Sequence, residues 1–162
     1  EIKKTERKNT RLESEGAEFL VLGNLLIQGI PTYKTYTNMP GYDLVATNPE
    51  KNKSVRIQVK SRYQTNWDGF IIKNLDTDFV VLVTLNRGIP GSSKARIGID
   101  IKEPDFYIFP IEYVLEIRDK ENAWGKITKA RMIEFEQYKN KWDLIVMKLE
   151  LKESDASLQY DF

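Results

Sequence analysis

The segment Gly41-Tyr42-Asp43-Leu44-Val45-Ala46, followed after a polar turn by Val55-Arg56-Ile57-Gln58-Val59-Lys60-Ser61-Arg62, decides the fold. In the second segment apolar and polar residues alternate, which is typical of a β-strand with one buried face. Gln58 and Lys60 therefore project to the same side, two residues apart. A hairpin joining the two segments would bring the Asp43 carboxylate, an amide and an ammonium group together. These are the groups needed to hold a divalent cation against a phosphodiester.

The composition is that of an ordinary globular protein, with 41% hydrophobic and 30% charged residues in a chain of 162 residues. The longest apolar runs are too short to span a bilayer, so we expect no membrane association. There is no cysteine and no histidine. This excludes thiol nucleophiles, Ser-His-Asp triads and His- or Cys-bound zinc. Hydrolysis would have to use carboxylates, amides, lysine and a hard cation such as Mg²⁺ (or Mn²⁺). The lack of cysteine is also compatible with a cytoplasmic location, which we expect.

The chain is expected to form one α/β (mixed α+β) domain over residues 10–150. Residues 1–9 are predicted to be a flexible basic arm or a helix extension, and residues 151–162 a polar acidic tail. Apolar periodicity, turn residues and proline positions predict a three- to five-stranded mixed sheet flanked by helices. The predicted helices cover 10–28, 110–117 and 129–141, and the predicted strands cover 33–37, 42–47, 54–62, 71–73, 78–85 and 106–109.

The first predicted helix carries an apolar stripe of Phe19, Leu22, Leu25 and Leu26 and ends at Gly29. By helical geometry Glu18 falls between Leu22 and Leu25, within the face that should be buried. A buried carboxylate needs a partner, and Lys60 or a metal ion would serve. Glu15 is rotated to one side and is less central. The alternative is that Glu18 lies in the first turn of the helix and reaches water.

An acid at the head of one strand followed by Gln-x-Lys on the next resembles the PD-(D/E)XK nuclease superfamily. The arrangement is similar to the variant with Gln at the acidic position that occurs in some homing endonucleases, and it is related to Holliday junction resolvase-like nucleases. The resemblance covers residues 14–62 and includes Glu15-Gly16-Ala17-Glu18 upstream. Tyr42 stands where the family has proline, and Gln58 where it usually has a carboxylate. The resemblance implies a restriction-endonuclease-like core and Mg²⁺-dependent DNA cleavage.

The resemblance also implies roles for individual residues. Asp43 would anchor the metal, together with the Gln58 amide oxygen, the Val59 carbonyl and Glu18. Lys60 would orient the attacking water and stabilise charge on the scissile phosphate. Other interpretations remain open, since Asp43 next to glycine suits a turn, and Arg56-x-Gln58-x-Lys60-x-Arg62 suits a solvent-facing strand. The catalytic set predicted here is Glu18, Asp43, Gln58 and Lys60.

DNA is the expected partner, although the net charge of +1 gives little support by itself. A homodimer is one expected assembly, because cutting both strands usually calls for two active sites. The alternative function is a catalytically weak or inactive module of the same fold that binds nucleic acid or a protein. Tyr63, Gln64 and Trp67 would either stack on bases or close the edge of a core. The predicted nucleic-acid contacts are Lys51, Lys53, Arg56, Arg62 and Tyr63.

Overall fold

The structure is a computed structural model that describes residues 10–36, 41–91, 96 and 98–152. The predicted arm at 1–9 and most of the predicted tail lie outside these residues, as does the end of the strand predicted at 33–37. The helices are α1 (Arg11–Ile27), α2 (Ile111–Ile117) and α3 (Asp143–Leu149), with 3₁₀ helices at Lys129–Arg131 and Phe135–Tyr138. The strands are β1 (Thr32–Lys34), β2 (Leu44–Asn48), β3 (Lys53–Arg62), β4 (Gly69–Ile71), β5 (Phe79–Thr84), β6 (Asp105–Pro110) and β7 (Lys126–Thr128).

Five of the strands form one mixed sheet in the order β1-β2-β3-β5-β6. β3 and β5 are parallel, and the other neighbouring pairs are antiparallel. The predicted hairpin is confirmed: β2 pairs with β3, with Leu44 opposite Ile57 and Asn48 opposite Lys53. A mixed sheet flanked by helices is therefore confirmed as well. β4 and β7 form a separate two-stranded sheet. No strand had been predicted at the position of β7, and the edge strand had been predicted at 71–73.

The main sheet has a hydrophobic core on each face. One core packs α1 and α3 against Val55, Ile57 and their neighbours. The other packs α2, the β4–β7 sheet and the 3₁₀ segments against Val80 and Leu82. All six residues of β5 are buried, as expected for a continuous apolar strand covered on both faces.

The buried face of α1 differs from the predicted one. Ala17, Val21 and Leu25 are fully buried, whereas Phe19 and Leu26 are about half exposed, at 49% and 48%. The prediction followed the largest side chains, but close packing of the helix on the sheet selects the smaller Ala17 and Val21. Gly29 follows the helix with φ of 76°, which confirms it as the stop signal.

The helix predicted at 129–141 is wrong. The segment consists of two 3₁₀ helices separated by Glu134, which has φ of 55°. The inward residues Met132, Phe135 and Tyr138 do pack in the core, but their three-residue spacing suits the 3₁₀ repeat. The backbone at Asn140 then donates to the Phe106 carbonyl on β6 at 2.9 Å, so pairing with the sheet ends the segment. None of the helices within the described ranges is long and apolar enough to cross a membrane.

Candidate active site

Asp43 lies just before β2, where its backbone is held between β1 and β3. Its amide donates to the Ile57 carbonyl at 2.8 Å, and its own carbonyl accepts from the Thr35 amide at 2.9 Å. The carboxylate reaches beyond the end of β2, where Oδ2 accepts a hydrogen bond from the Val59 amide at 2.7 Å. The acid is therefore fixed against β3 between the positions of Gln58 and Lys60.

Gly41 makes this placement possible. Its φ is 96°, and a Cβ at this position would lie 2.6 Å from the Asp76 carbonyl oxygen. Both the conformation and the close approach require glycine. The chain can thus enter β2 tightly enough for Asp43 to meet β3.

Gln58 is 9% exposed, and its amide oxygen Oε1 is buried and has no hydrogen-bond partner among the described residues. Buried side-chain oxygens are nearly always satisfied, and an exception calls for an explanation such as an ion. An amide oxygen is a suitable ligand for Mg²⁺. The residue predicted from the Gln-x-Lys pattern therefore carries the chemical feature expected of a neutral metal ligand.

Lys60 is half-buried, on the same side of β3 as Gln58. Desolvation lowers the pKa of its ammonium group, and the negative charge of Asp43 opposes this shift. Within the described ranges the Lys60 side chain forms no hydrogen bond or ion pair. A partly desolvated cation of this kind is available to an anionic group such as a phosphate.

Glu18 has a partner that the sequence did not suggest. Its carboxylate accepts a hydrogen bond from Lys34 on β1, whereas Lys60 or a metal ion had been the predicted partner. Desolvation raises the pKa of Glu18, and this outweighs the opposing effect of Lys34. Burial by itself lowers the pKa of Lys34, whose side chain is 7% exposed, but bonds to Glu18 and Glu15 raise it overall. The side chain of Glu15 is 47% exposed and that of Glu18 is 18% exposed, which agrees with the preference for Glu18.

The four predicted catalytic residues come from two sides of the sheet. α1 and Glu18 lie on the face of Val55 and Ile57, whereas alternation along β3 places Gln58 and Lys60 on the other face. Asp43 lies at the end of β2 between them, and its charge affects the pKa of both Glu18 and Lys60. The structure therefore groups Asp43 with Gln58 and Lys60, and it links Glu18 to that group through Asp43.

Most of the predicted nucleic-acid contacts are cations already paired with carboxylates. Arg56 is bound by Asp76 and Asp78, and Arg62 lies 3.4 Å from Asp68. Lys51 and Lys53 both pair with Glu150. Tyr63 is 42% exposed. Trp67 is 6% exposed and packs edge-on against Phe135, which confirms the core interpretation for that residue.

Within the residues that the structure describes, no three His, Cys, Asp or Glu side chains are close enough to hold a metal ion. The candidate ligand set needs no such cluster, because it consists of one firmly placed carboxylate, one buried amide oxygen and a backbone carbonyl. Mg²⁺ keeps several of its own waters and can be held by few protein ligands. The donors around Asp43 therefore fit a hard divalent cation.

The mixed α+β fold of this chain is also found in a solved structure. The chain is similar in structure to the bacterial homing endonuclease I-Ssp6803I, with a TM-score of 0.54 and 21% sequence identity over 86% of this chain and 94% of that chain. No protein-family model matches the chain, and no curated protein matches it in sequence.

Proposed function

We propose that this protein is a divalent-cation-dependent DNA endonuclease of the PD-(D/E)XK type. The observation that carries the proposal is the arrangement around β3. Asp43 is held on the Val59 amide, beside the buried, unpartnered oxygen of Gln58 and the half-buried cation Lys60. The similarity in fold to a homing endonuclease supports DNA as the substrate.

Asp43, Gln58 and the Val59 carbonyl would hold the cation, with Glu18 adding negative charge nearby. A bound Mg²⁺ would supply Lewis acidity and lower the pKa of a coordinated water. Lys60 would contact the scissile phosphate and offset its negative charge. Because this ammonium is partly desolvated, its interaction with a phosphate is stronger than that of a fully hydrated lysine. The hydrogen bond from Val59 keeps the Asp43 carboxylate in place before substrate binds, so little reorganisation is required.

Cleavage of supercoiled plasmid and of branched junction DNA, with Mg²⁺ or Mn²⁺, tests the proposal. We expect the wild type to cleave and both Asp43→Asn and Lys60→Ala to lose at least about a hundredfold in rate. Asp143→Asn and Lys148→Ala are matched controls, since these residues are exposed on α3, and they should cleave normally. Undiminished cleavage by Lys60→Ala would contradict the proposed site.

A second candidate is a DNA-binding module of the same fold without cleavage activity. It is favoured by Gln58, which gives the site an oxygen but no charge. Cation binding separates the two functions, because only the nuclease requires it. Calorimetric titration with Mn²⁺ should show binding to the wild type and binding at least tenfold tighter to Gln58→Glu, in which a second carboxylate is added. Equal affinities of the two proteins would mean that Gln58 does not contact the ion.

A further inference from the structure

The face of α1 that points away from the sheet is apolar along its whole length. Its residues are spaced at three and four positions, so they form one continuous band on the helix. This band lies opposite Ala17, Val21 and Leu25, which are buried against the sheet. We call it the α1 outer stripe, and its members are Leu12, Gly16, Phe19, Leu20, Gly23, Leu26 and Ile27.

The large side chains of the α1 outer stripe are exposed. Leu12 is 85% exposed, Ile27 is 66% and Phe19 is 49%. Tyr36, which is 83% exposed, extends the patch, since the Lys34 ammonium lies 5.4 Å from the centre of the Phe19 ring and 5.8 Å from that of Tyr36. Contiguous exposed apolar patches of this kind mark interaction surfaces. A surface helix normally has polar residues in such positions.

The two glycines in the stripe have no role within the described chain. Glycine is among the least favourable residues in a helix interior. A Cβ at Gly16 or Gly23 would meet nothing within 4 Å, so no neighbouring group requires glycine at either position. A missing side chain does, however, allow the backbone of a second helix to approach closely.

The α1 outer stripe has similar residues at equal distances on either side of the point between Phe19 and Leu20. When position i is compared with position 39 − i, Leu12 matches Ile27, Gly16 matches Gly23, and Phe19 matches Leu20. Only Leu26, which falls opposite Glu13, lies outside this pattern. This is the pattern expected of an isologous interface about a two-fold axis. In such an interface residue i of one copy contacts residue j of the other, and residue j of the first copy contacts residue i of the second.

We propose that the α1 outer stripe is a homodimer interface, in which the α1 helices of two copies pack antiparallel about a two-fold axis between Phe19 and Leu20. The glycines of the two copies face each other and bring the helices together, while Leu12 packs against Ile27 at either end. A different protein partner would not require the pairing of positions i and 39 − i. Glu18 is not a member of the stripe, and the interface is argued from the exposed residues of α1 alone, so it does not depend on the proposed function.

Sedimentation equilibrium of the full chain over a range of concentrations tests the interface. We expect a reversible dimer with a dissociation constant in the micromolar range. Gly16→Gln and Leu20→Gln should weaken the dimer at least tenfold, because glutamine forms helices well but fills the contact or removes apolar area. Met147→Gln is the matched control, since Met147 is a 68% exposed apolar residue of α3, and it should dimerise normally. A wild type that is monomeric throughout would overturn the proposal.

Cysteine cross-linking tests the register, with no background because the natural chain has no cysteine. Leu12→Cys and Ile27→Cys are purified separately, mixed, and oxidised. The mixture should form a cross-linked dimer, whereas Leu12→Cys alone should not. Cross-linking of Leu12→Cys to itself, with no product in the mixture that joins Leu12→Cys to Ile27→Cys, would indicate parallel helices and would overturn the antiparallel interface.

Discussion

Lys60, the residue proposed to contact the scissile phosphate, is a half-buried cation, and its burial has a cost to stability. Lys60 is paired with Leu82 of β5, so the two side chains lie next to each other on the same face of the sheet. Desolvation lowers the pKa of Lys60. A cation whose pKa is lowered on folding destabilises the folded state while it is charged. That cost is present below the folded-state pKa, and it disappears as the pH rises towards the unfolded-state value of about 10.5.

We therefore predict that Lys60→Met raises the thermal stability at neutral pH while it abolishes cleavage. The gain in the free energy of unfolding should be on the order of 1 kcal/mol, because a partly buried charge is replaced by an apolar side chain of similar length. The gain should vanish above about pH 10.5, where the wild-type lysine is neutral in both states. Thermal melts at several pH values measure both effects, with Lys148→Met as the exposed control. A loss of stability at pH 7 would show that Lys60 has a structural role.

The residues of the candidate site that could be predicted from the sequence are those placed by one strand. Alternation along β3 puts Gln58 and Lys60 on one side, and the polar turn brings Asp43 to their strand. Lys34 could not be predicted in this way, because its contact with Glu18 depends on how α1 lies across β1. In the sequence Lys34 is only a lysine between Tyr33 and Thr35, in the three-residue strand β1. Such a lysine is common on exposed strands and does not indicate a buried partner.

α1 and β1 are connected by a largely buried ion pair. Lys34 is 7% exposed and Glu18 is 18% exposed, so neither charge is well solvated. The removal of one partner from a buried pair leaves the other charge uncompensated, which costs far more than the loss of an exposed pair. The pair fixes the position of Glu18 next to Asp43.

We predict that Lys34→Met is destabilising by about 2–4 kcal/mol. Glu18→Leu should cost less, because Lys34 keeps Glu15 as a partner at 3.4 Å. The double variant should lose clearly less than the sum of the two, because no buried charge remains unpaired. Urea denaturation measures these differences. Lys51→Met is the control, since Lys51 and Glu150 form a pair with side chains 47% and 49% exposed, and its cost should stay below about 1 kcal/mol. Additive losses in the double variant would mean that the two side chains do not interact.

Regular elements with a strong pattern were predicted well, and irregular ones were not. β5 and β3 follow from their apolar or alternating residues, and α2 begins directly after Pro110. The segment between Lys129 and Asn140 has an inward residue at every third position, which fits both an α-helix and a 3₁₀ helix over a short stretch. Its backbone pairing with β6 decides between them, and that contact links residues more than 30 positions apart.

The second core of the protein is built around buried tyrosines. The rings of Tyr113 and Tyr138 are 4.6 Å apart, and the Tyr113 hydroxyl donates to the Ile133 carbonyl at 3.0 Å. Burial raises the pKa of Tyr113 to about 12. Burial also raises the pKa of Tyr107 and Tyr138.

We predict that the free energy of unfolding falls steeply as the pH rises above about 10, where tyrosines of the unfolded chain ionise. Groups with a raised folded-state pKa contribute stability below the unfolded-state value, and this is lost as the pH rises towards the folded-state value. Tyrosinate absorbance should show one group that ionises near pH 10 and a second that ionises only on unfolding. Tyr113→Phe should reduce the amplitude of the second step. A single step near pH 10, with the protein still folded, would contradict this prediction.

The order of pairing in the main sheet has a consequence for how the protein folds. β2 and β3 are joined by a short turn, so their contacts close a small loop, whereas the parallel pair of β3 and β5 requires the intervening chain to cross over first. The Asp43–Val59 hydrogen bond lies within the hairpin, and the burial of Lys60 depends on β5. We expect the part of the candidate site around Asp43 to form early on the folding pathway and the part around Lys60 to form late. Pulsed hydrogen exchange would therefore protect the Val59 amide before the amides of β5.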